Sequence, residues 1–253
     1  MDDTGSRTDN YRAAHAEVLA RIAAACGRAG RSPESVTLVA VSKTVPADAL
    51  RDAVAAGLDL LGENRVQEAA AKVPEVSGAR WHLVGPLQSN KAHPALEAFD
   101  AIQSVDSVKL AARLDRLVPG TRPGRRYPVL VQVNVDLDPA KAGFAPDAID
   151  VAMAELTALP HLELRGLMTV GRLTTDRGEA RRTFAGLREL AERCRSRWPA
   201  LGRELSMGMS GDFEVAIEEG ATIVRIGRAL FGERPGHEHG HGHDHGADGD
   251  HGN

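Results

Sequence analysis

Short apolar runs alternate with longer segments of mixed polarity along most of this chain of 253 residues. The first run, V-T-L-V-A-V-S at 36–42, is almost continuously apolar, which is typical of a strand buried on both faces. Lys43 follows at the position where this strand should end, and Pro46 suits the first turn of a helix. The pattern therefore predicts a buried strand with a lysine at its carboxyl end.

Seven further apolar runs predict seven more strands, each separated from the next by a helical segment. The strands are expected at 58–61, 81–84, 101–105, 129–135, 162–170, 205–209 and 223–226. Helices are expected at 11–30, 47–56, 65–72, 94–98, 107–117 with Asp106 as its N-cap, 147–159, 177–197 and 212–219, with a last helical turn at 228–231. Repeated strand–helix units favour parallel pairing with right-handed crossovers.

The number of these units selects the fold class. Eight strand–helix units in about 230 residues match the count and length of a single (β/α)₈ TIM-type barrel. A doubly wound open sheet is the alternative, but that fold usually carries G-x-G-x-x-G after its first strand, and the sequence has none there. We therefore predict one α/β barrel domain over 10–234 that includes an extra N-terminal helix, after a flexible polar N-terminus at 1–9.

The segment 235–253 has a different composition, rich in histidine, glycine and acidic residues. It cannot bury a core, so we predict a disordered His-rich C-terminal tail. Imidazoles could bind zinc or nickel weakly there, and a solvated tail without function is an equally good interpretation. The histidines considered for such weak metal binding are His237, His239, His241, His243 and His245.

Composition and charge narrow the classes of function. The formal net charge is −4, which gives no electrostatic reason to expect nucleic-acid binding. The two cysteines, Cys26 and Cys194, are far apart and form no disulfide framework, which fits a reducing compartment. We find no apolar run long enough to span a bilayer and no secretion signal at the N-terminus, so we expect a cytoplasmic protein without membrane partners.

Polar residues collect at the predicted strand ends, where the chemistry of such barrels is found. The candidate positions are Lys43, Glu63, Asn64, His82, the segment 88–91, Ser104, Asp106, Asn134, Met168, and the segments 206–210 and 225–228.

Two of these segments suit a phosphate group. S-M-G-M-S at 206–210 comes just before a helix, where free backbone N–H groups can bind an anion, and Gly227 with Arg228 follows the eighth strand in the same way. Barrels often bind phosphate in the loops after strands seven and eight. The alternative for Ser210 is an ordinary helix N-cap.

Two charged residues lie in apolar surroundings. Arg225 interrupts the eighth strand, where its guanidinium needs either a ligand or a buried carboxylate partner. Lys43 could be a strand-end lysine that reaches solvent, or a residue with chemistry. A ligand with an aldehyde, a phosphate and a ring nitrogen would suit Lys43, the phosphate loops and Arg225 together. Pyridoxal 5′-phosphate (PLP) has all three groups.

Several sequence blocks resemble the pyridoxal-phosphate homeostasis protein family. They are A-V-S-K-T-V-P at 40–46, G-E-N-R-V-Q-E at 62–68, W-H-L-V-G-P-L-Q-S-N-K at 81–91, R-G-L-M at 165–168, L-S-M-G-M-S-G-D at 205–212 and V-R-I-G-R-A-L-F-G at 224–232. The blocks run in the order of the family and cover nearly the whole chain before Pro235.

The resemblance implies a single barrel of the alanine-racemase type, without the second domain of that enzyme. It implies a carrier that buffers PLP, with no established turnover and no catalytic residue, commonly a monomer, with apo PLP-dependent enzymes as possible partners. The roles that it implies are a Schiff base on Lys43, phosphate binding by Ser210 and the backbone of Gly227 and Arg228, a contact of Arg225 with the pyridine nitrogen, and lining of the site by Ser206, Asn64 and His82.

The sequence departs from the family pattern in two places. Arg228 stands where the family usually has Thr or Ser, so one hydroxyl contact to phosphate is lost while the backbone N–H remains. Its guanidinium could add a charge contact or point away. The His-rich tail also lies outside the pattern, and no role is carried over to it.

An amino-acid racemase of the alanine-racemase type is the alternative function. Two-base racemisation needs a second acid or base across the cofactor from Lys43. The chain has two tyrosines, Tyr11 in the first helix and Tyr127 before strand five, and neither is at a predicted strand end. We therefore favour the carrier.

Overall fold

The computed structural model describes residues 3–172 and 174–232 of the chain. Eight parallel strands close into one barrel in sequence order, with β1 paired to both β2 and β8. The strands are β1 Thr37–Val41, β2 Leu60–Glu63, β3 Arg80–Leu83, β4 Ala101–Val105, β5 Tyr127–Gln132, β6 Leu162–Met168, β7 Glu204–Ser206 and β8 Ile223–Ile226. The predicted (β/α)₈ barrel is confirmed.

Helices surround the barrel and connect its strands. They are α1 Asp3–Arg28, α2 Ala47–Ala55, α3 Val66–Lys72, α4 Ala92–Ala98, α5 Val108–Thr121, α6 Ile149–Leu156, α7 Arg177–Arg197, α8 Phe213–Glu218 and α9 Arg228–Phe231. Short 3₁₀ turns at Pro33–Ser35, Val73–Glu75 and Ser89–Lys91 lie between them. Within the described ranges, no helix is long and apolar enough to cross a membrane.

Several element ends differ from the prediction, most of all in helices α1 and α5. α1 begins at Asp3 rather than near Tyr11, so the extra N-terminal helix takes in most of the segment predicted to be flexible, whose mobility stays a prediction. α5 begins after Ser107, whose hydroxyl accepts from the Leu110 N–H, and Asp106 is not its cap. α5 also runs through Pro119 to Thr121, because the buried Val118 holds this last turn against the core.

The core has two parts, separated by the sheet. The larger part lies between the strands and the helices, and its fully buried members include Trp81, Phe99 and Phe184. The smaller part fills the barrel interior with one side chain from each of five strands, and with Val84, which directly follows β3. The five strand residues are Val39, Leu60, Leu130, Met168 and Ile223. Because side chains alternate along a strand, the residues that follow these at spacing two also face the interior.

The tail assigned to 235–253, with its five candidate metal-binding histidines, lies outside the described residues. Both the tail and the barrel boundaries at 10 and 234 stay predictions.

Candidate functional site

Lys43 lies just beyond the carboxyl end of β1. Val39 and Val41 pack against the interior cluster of the barrel, so the alternation of the strand assigns Lys43 to the same face. Lys43 is half-buried, and the next residue, Thr44, has a left-handed backbone with φ of 69°. This conformation is costly for a β-branched residue, and such strain concentrates at functional sites.

A cavity of about 270 Å³ opens at this rim of the barrel. Lys43, Gly227 and Arg228 line it together, although they are far apart in the sequence. They meet there because β1 pairs with β8, with Ala40 opposite Ile226. Arg228 is exposed, and it lies on the cavity wall rather than away from the site.

Ser210 belongs to the same end of the barrel through a direct contact. The N–H of Gly227 donates to the Ser210 hydroxyl at 3.3 Å, which joins the loop after β7 to the loop after β8. Asp212, not Ser210, precedes α8, so the ordinary N-cap interpretation of Ser210 is wrong. A side chain at Gly227 would bring a Cβ to 3.2 Å from the Val41 carbonyl oxygen, so glycine keeps this approach open.

Arg225 is a buried cation, with 4% of its surface exposed. Nη1 donates to the Ser206 hydroxyl at 2.6 Å and Nη2 donates to the Thr169 carbonyl at 2.7 Å. Both acceptors are neutral, and within the described residues no carboxylate bonds to the guanidinium. The buried salt bridge considered for Arg225 is therefore absent there. Burial lowers its pKa to about 10, against the opposing charge of Asp212.

His82 is connected to Arg225 through side chains inside the barrel. Ser206 donates from its hydroxyl to Gln103 Oε1 at 2.6 Å, and Gln103 Nε2 lies 2.8 Å from His82 Nδ1. Burial lowers the pKa of His82 to about 4, so the imidazole is neutral at pH 7. Sequence analysis did not select Gln103, although it interrupts the apolar strand A-I-Q-S-V as Arg225 interrupts its own.

Behind Lys43, on the outer face of β1 and β2, lies a buried ion pair. Glu63 is fully buried and its Oε1 accepts from Lys72 Nζ at 2.6 Å and from the Ser42 hydroxyl at 2.8 Å. Lys72 Nζ also donates to the Ser42 carbonyl at 3.0 Å. Glu63 was a candidate from its strand-end position, whereas Lys72 lies at the end of a helix and had no feature to select it.

Asn64 follows β2 and is half-buried. The backbone of Gly85 passes so close that a Cβ there would be 2.3 Å from the Asn64 carbonyl oxygen. This contact fixes Asn64 at the rim. Among the described residues, no hydrogen bond joins its side chain to the other candidates.

Tyr11 corrects one step of the sequence analysis. It was set apart from the site because it lies in the first helix, but its ring lines the cavity with Lys43. There it packs edge-on against Phe231, with ring centroids 5.6 Å apart. Tyr127 is buried elsewhere, and its hydroxyl donates to the Phe99 carbonyl at 2.7 Å.

The ranges 3–172 and 174–232 hold no group of three or more His, Cys, Asp or Glu side chains that could bind a metal ion.

Fold and site together define a barrel of the alanine-racemase class, with a lysine at the end of β1 and an arginine inside β8. The family model described as Alanine racemase, N-terminal domain, matches residues 17–235. Within this class, the chain belongs to the pyridoxal phosphate homeostasis protein family. The resemblance found in the sequence is thereby confirmed.

Two relatives carry this assignment. The Pyridoxal phosphate homeostasis protein of Pseudomonas aeruginosa is 47% identical over 222 residues, which cover 87% of this chain and 94% of the relative. The protein of the same name from Escherichia coli K12 is 41% identical over 227 residues, with 87% and 94% coverage.

Solved structures agree with the fold. PipY of Synechococcus elongatus PCC7942, in a structure with PLP bound, is 43% identical with a TM-score of 0.74, covering 85% of this chain and 100% of PipY. Alanine racemase of Clostridium difficile 630 is 17% identical with a TM-score of 0.66, covering 90% of this chain and 57% of the racemase. At that identity, the likeness to the racemase concerns the fold alone.

Proposed function

We propose that this protein binds PLP through Lys43 and acts as an intracellular carrier that buffers the cofactor. One observation carries the proposal: Lys43, Gly227 and Arg228 line a single cavity, and Ser210 is joined to Gly227 by a hydrogen bond. The names of the relatives and the PLP-bound structure of PipY support the same ligand.

The residues present match the chemical groups of this ligand. When bound, PLP supplies an aldehyde that reacts with a primary amine, and Lys43 is the amine at the rim of the barrel. The Ser210 hydroxyl and the backbone N–H groups of Gly227 and Arg228 would hold the phosphate. These donors follow β7 and β8, where barrels commonly bind phosphate.

Arg225 would face the pyridine nitrogen. A guanidinium can only donate hydrogen bonds and stays charged at a pKa of about 10, so it favours an unprotonated acceptor nitrogen. Its bonds to neutral oxygens hold it in place without cancelling its charge. Ser206, His82 and Asn64 would line the pyridine ring of PLP. Ser206 is bonded directly to Arg225, and His82 is linked to it through Gln103 and Ser206.

A contact of Arg225 with the ring nitrogen would fit the carrier function, although by itself it does not exclude racemisation. A ring nitrogen kept unprotonated withdraws electrons weakly, which disfavours carbanion chemistry. The names of the relatives also describe homeostasis rather than a reaction. We therefore assign no catalytic residue.

A racemase remains the second candidate because Tyr11 shares the cavity with Lys43. Burial raises the pKa of Tyr11, so the phenol stays protonated at pH 7 and would be a poor base. Its ring contact with Phe231 ties α1 to α9, which is a sufficient structural reason for this residue.

We further propose that the protein acts in the cytoplasm as a monomer and passes PLP to apo-enzymes. The reducing location is supported by Cys26 and Cys194, both of which are free and buried.

The first experiment locates the attachment site. Purified protein incubated with PLP should turn yellow, and borohydride should fix a pyridoxyl group on the peptide containing Lys43, identified by mass spectrometry. Lys43→Arg should abolish this adduct, whereas Lys109→Arg, at an exposed position on α5, should leave it unchanged. An adduct on another lysine, with Lys43 unmodified, would contradict the proposal.

The second experiment separates carrier from racemase. L-alanine is incubated with the PLP-loaded protein in heavy water, and loss of the α-proton signal is followed by NMR. We expect no exchange above that of free PLP. Rapid exchange that is lost in both Lys43→Ala and Tyr11→Phe would establish the racemase instead.

A further inference from the structure

Four side chains form a continuous hydrogen-bonded chain across the barrel interior. Arg225, Ser206, Gln103 and His82 come from β8, β7, β4 and β3, and successive polar atoms are 2.6, 2.6 and 2.8 Å apart. Ser206 and Gln103 are fully buried. We call these four residues the interior relay.

The directions of the hydrogen bonds in the relay follow from Arg225 together with the orientation of the Gln103 amide, whose Oε1 faces Ser206 and whose Nε2 faces His82. A guanidinium has donors and no acceptor, so the Ser206 oxygen must accept from it. The single hydroxyl proton of Ser206 then goes to Gln103 Oε1, which leaves Gln103 Nε2 as the donor toward His82. His82 Nδ1 must accept, so the imidazole is neutral and carries its proton on Nε2.

We propose that Gln103 is a positioning residue of the ligand site. It accepts the Ser206 hydroxyl proton, so that the Ser206 oxygen accepts from Arg225, and it holds His82 as the Nε2–H tautomer. This inference rests on the proposed function, because it takes Arg225 and His82 as lining residues. Gln103 acts through these neighbours rather than by touching the ligand.

The surroundings of Gln103 argue against a packing role. The apolar cluster that shares the barrel interior with the relay consists of Val, Leu, Ile and Met side chains, any of which would fill this space without a buried amide. A fully buried amide is retained at low cost only when both of its ends are bonded. Here both ends are bonded, one toward Arg225 and one to His82.

Two substitutions separate the two ends of the amide. Gln103→Glu keeps the acceptor for Ser206 but sets a carboxylate oxygen against His82 Nδ1, so the imidazole should take up a proton. Gln103→Leu removes both bonds and frees the tautomer. The charges acting on His82 from its surroundings are those of Asp100, Arg80 and Arg165, and neither substitution changes them.

The experiment measures the His82 ring by ¹⁵N NMR on the full chain without PLP. The His82 signals are assigned by their loss in His82→Asn. We expect a pyrrole-type shift for Nε2 and a pyridine-type shift for Nδ1 between about pH 5 and 8, since the imidazole titrates only near pH 4. In Gln103→Glu at pH 7, both nitrogens should show the imidazolium shift.

Gln132→Leu is the matched control, because Gln132 is also a buried glutamine on a barrel strand but bonds to the Ala142 carbonyl outside the relay. It should leave the His82 signals unchanged. A proton on Nδ1 in the native protein, or a neutral His82 in Gln103→Glu, would overturn the proposal.

Binding then tests the positioning role by itself. Gln103→Leu should bind PLP about five- to tenfold more weakly than the native protein, the loss expected when one oriented hydrogen bond is removed. If Gln103→Leu binds PLP as tightly as the native protein, while His82 in the native protein shows the expected tautomer, Gln103 is a structural residue only and the positioning role is overturned. Failure of the proposed function is distinguishable, because it appears as a missing adduct on Lys43 while the tautomer stays as expected.

Discussion

Replacing Lys72 by methionine tests how the strand end that carries Lys43 is held. The Lys72 ammonium, with 12% of its side chain exposed, contacts the fully buried Glu63 carboxylate at 2.6 Å. Lys72→Met leaves that carboxylate buried. Among the described residues, the Ser42 hydroxyl is then its remaining donor, and Glu63 Oε2 has no hydrogen-bond partner even in the native site. An unpaired buried charge of this kind costs about 3–5 kcal/mol.

This loss is large relative to the whole free energy of unfolding of the protein. A domain is stable by about 5–15 kcal/mol, and at this chain length each kcal/mol lowers the melting temperature by about 2–4 °C. Lys72→Met should therefore lower it by about 6–20 °C. In the double variant Glu63→Gln with Lys72→Met no buried charge remains, so it should lie within about 2 kcal/mol of the native protein.

The assay is thermal and urea unfolding followed by circular dichroism, with the four proteins of the double-mutant cycle. Arg80→Met is the matched control, because Arg80 pairs with Asp59 at 3.8 Å with both side chains largely exposed, and such pairs contribute less than about 1 kcal/mol. The reasoning is refuted if Lys72→Met costs no more than this control, or if the double variant loses the sum of the two single losses.

Three further predictions concern the site. His82→Asn removes a group whose folded pKa, about 4, lies below its ordinary 6.5, so the unfolded chain binds the proton more tightly. In urea unfolding, the free energy of unfolding of the native protein, relative to that of His82→Asn, should therefore fall by about 2 kcal/mol between pH 7 and pH 5. A difference that is independent of pH would contradict this. In fluorescence titrations, Ser210→Ala should weaken PLP binding about ten- to a hundredfold at any salt concentration. Arg228→Ala, which removes only an exposed charge, should weaken it less than about fivefold and leave it unchanged at about 1 M salt. Gly208→Ala should destabilise the protein by more than about 2 kcal/mol, because its φ is 92° and the new Cβ would be 2.6 Å from Ala216 Cβ. Gly211→Ala, the control, has open space around it and should change stability by less than about 0.5 kcal/mol.

The fold could be predicted because its pattern is local. Each buried strand is a short apolar run and each helix an amphipathic segment, so counting the units was enough to reach eight strands and a closed barrel. The errors lie at the ends of helices and strands, where tertiary packing decides. Val118 keeps α5 helical past Pro119, and Ser107 rather than Asp106 supplies the cap.

The candidate site was predictable wherever a polar residue interrupts or ends an apolar strand. Lys43, Ser206 and Arg225 share this feature, and Gln103 shares it too but was passed over. Tyr11 and Lys72 do not share it. Both belong to helices, and their approach to β1 depends on how α1 and α3 pack, which no local pattern encodes.

The residues of the candidate site come from the two ends of the chain, and side chains in the barrel interior connect them to the other strands. β1 contributes the lysine, and the loops after β7 and β8 contribute the hydroxyl, the backbone donors and the buried guanidinium. Pairing of β1 with β8 brings these parts side by side, because a closed barrel makes the first and last strands neighbours. The interior relay then ties Arg225 to β3 and β4 on the far side. Changes at Gln103 should therefore reach the ligand through Arg225, whereas changes at Lys72 should reach it through the backbone of Ser42 and the strand end that carries Lys43.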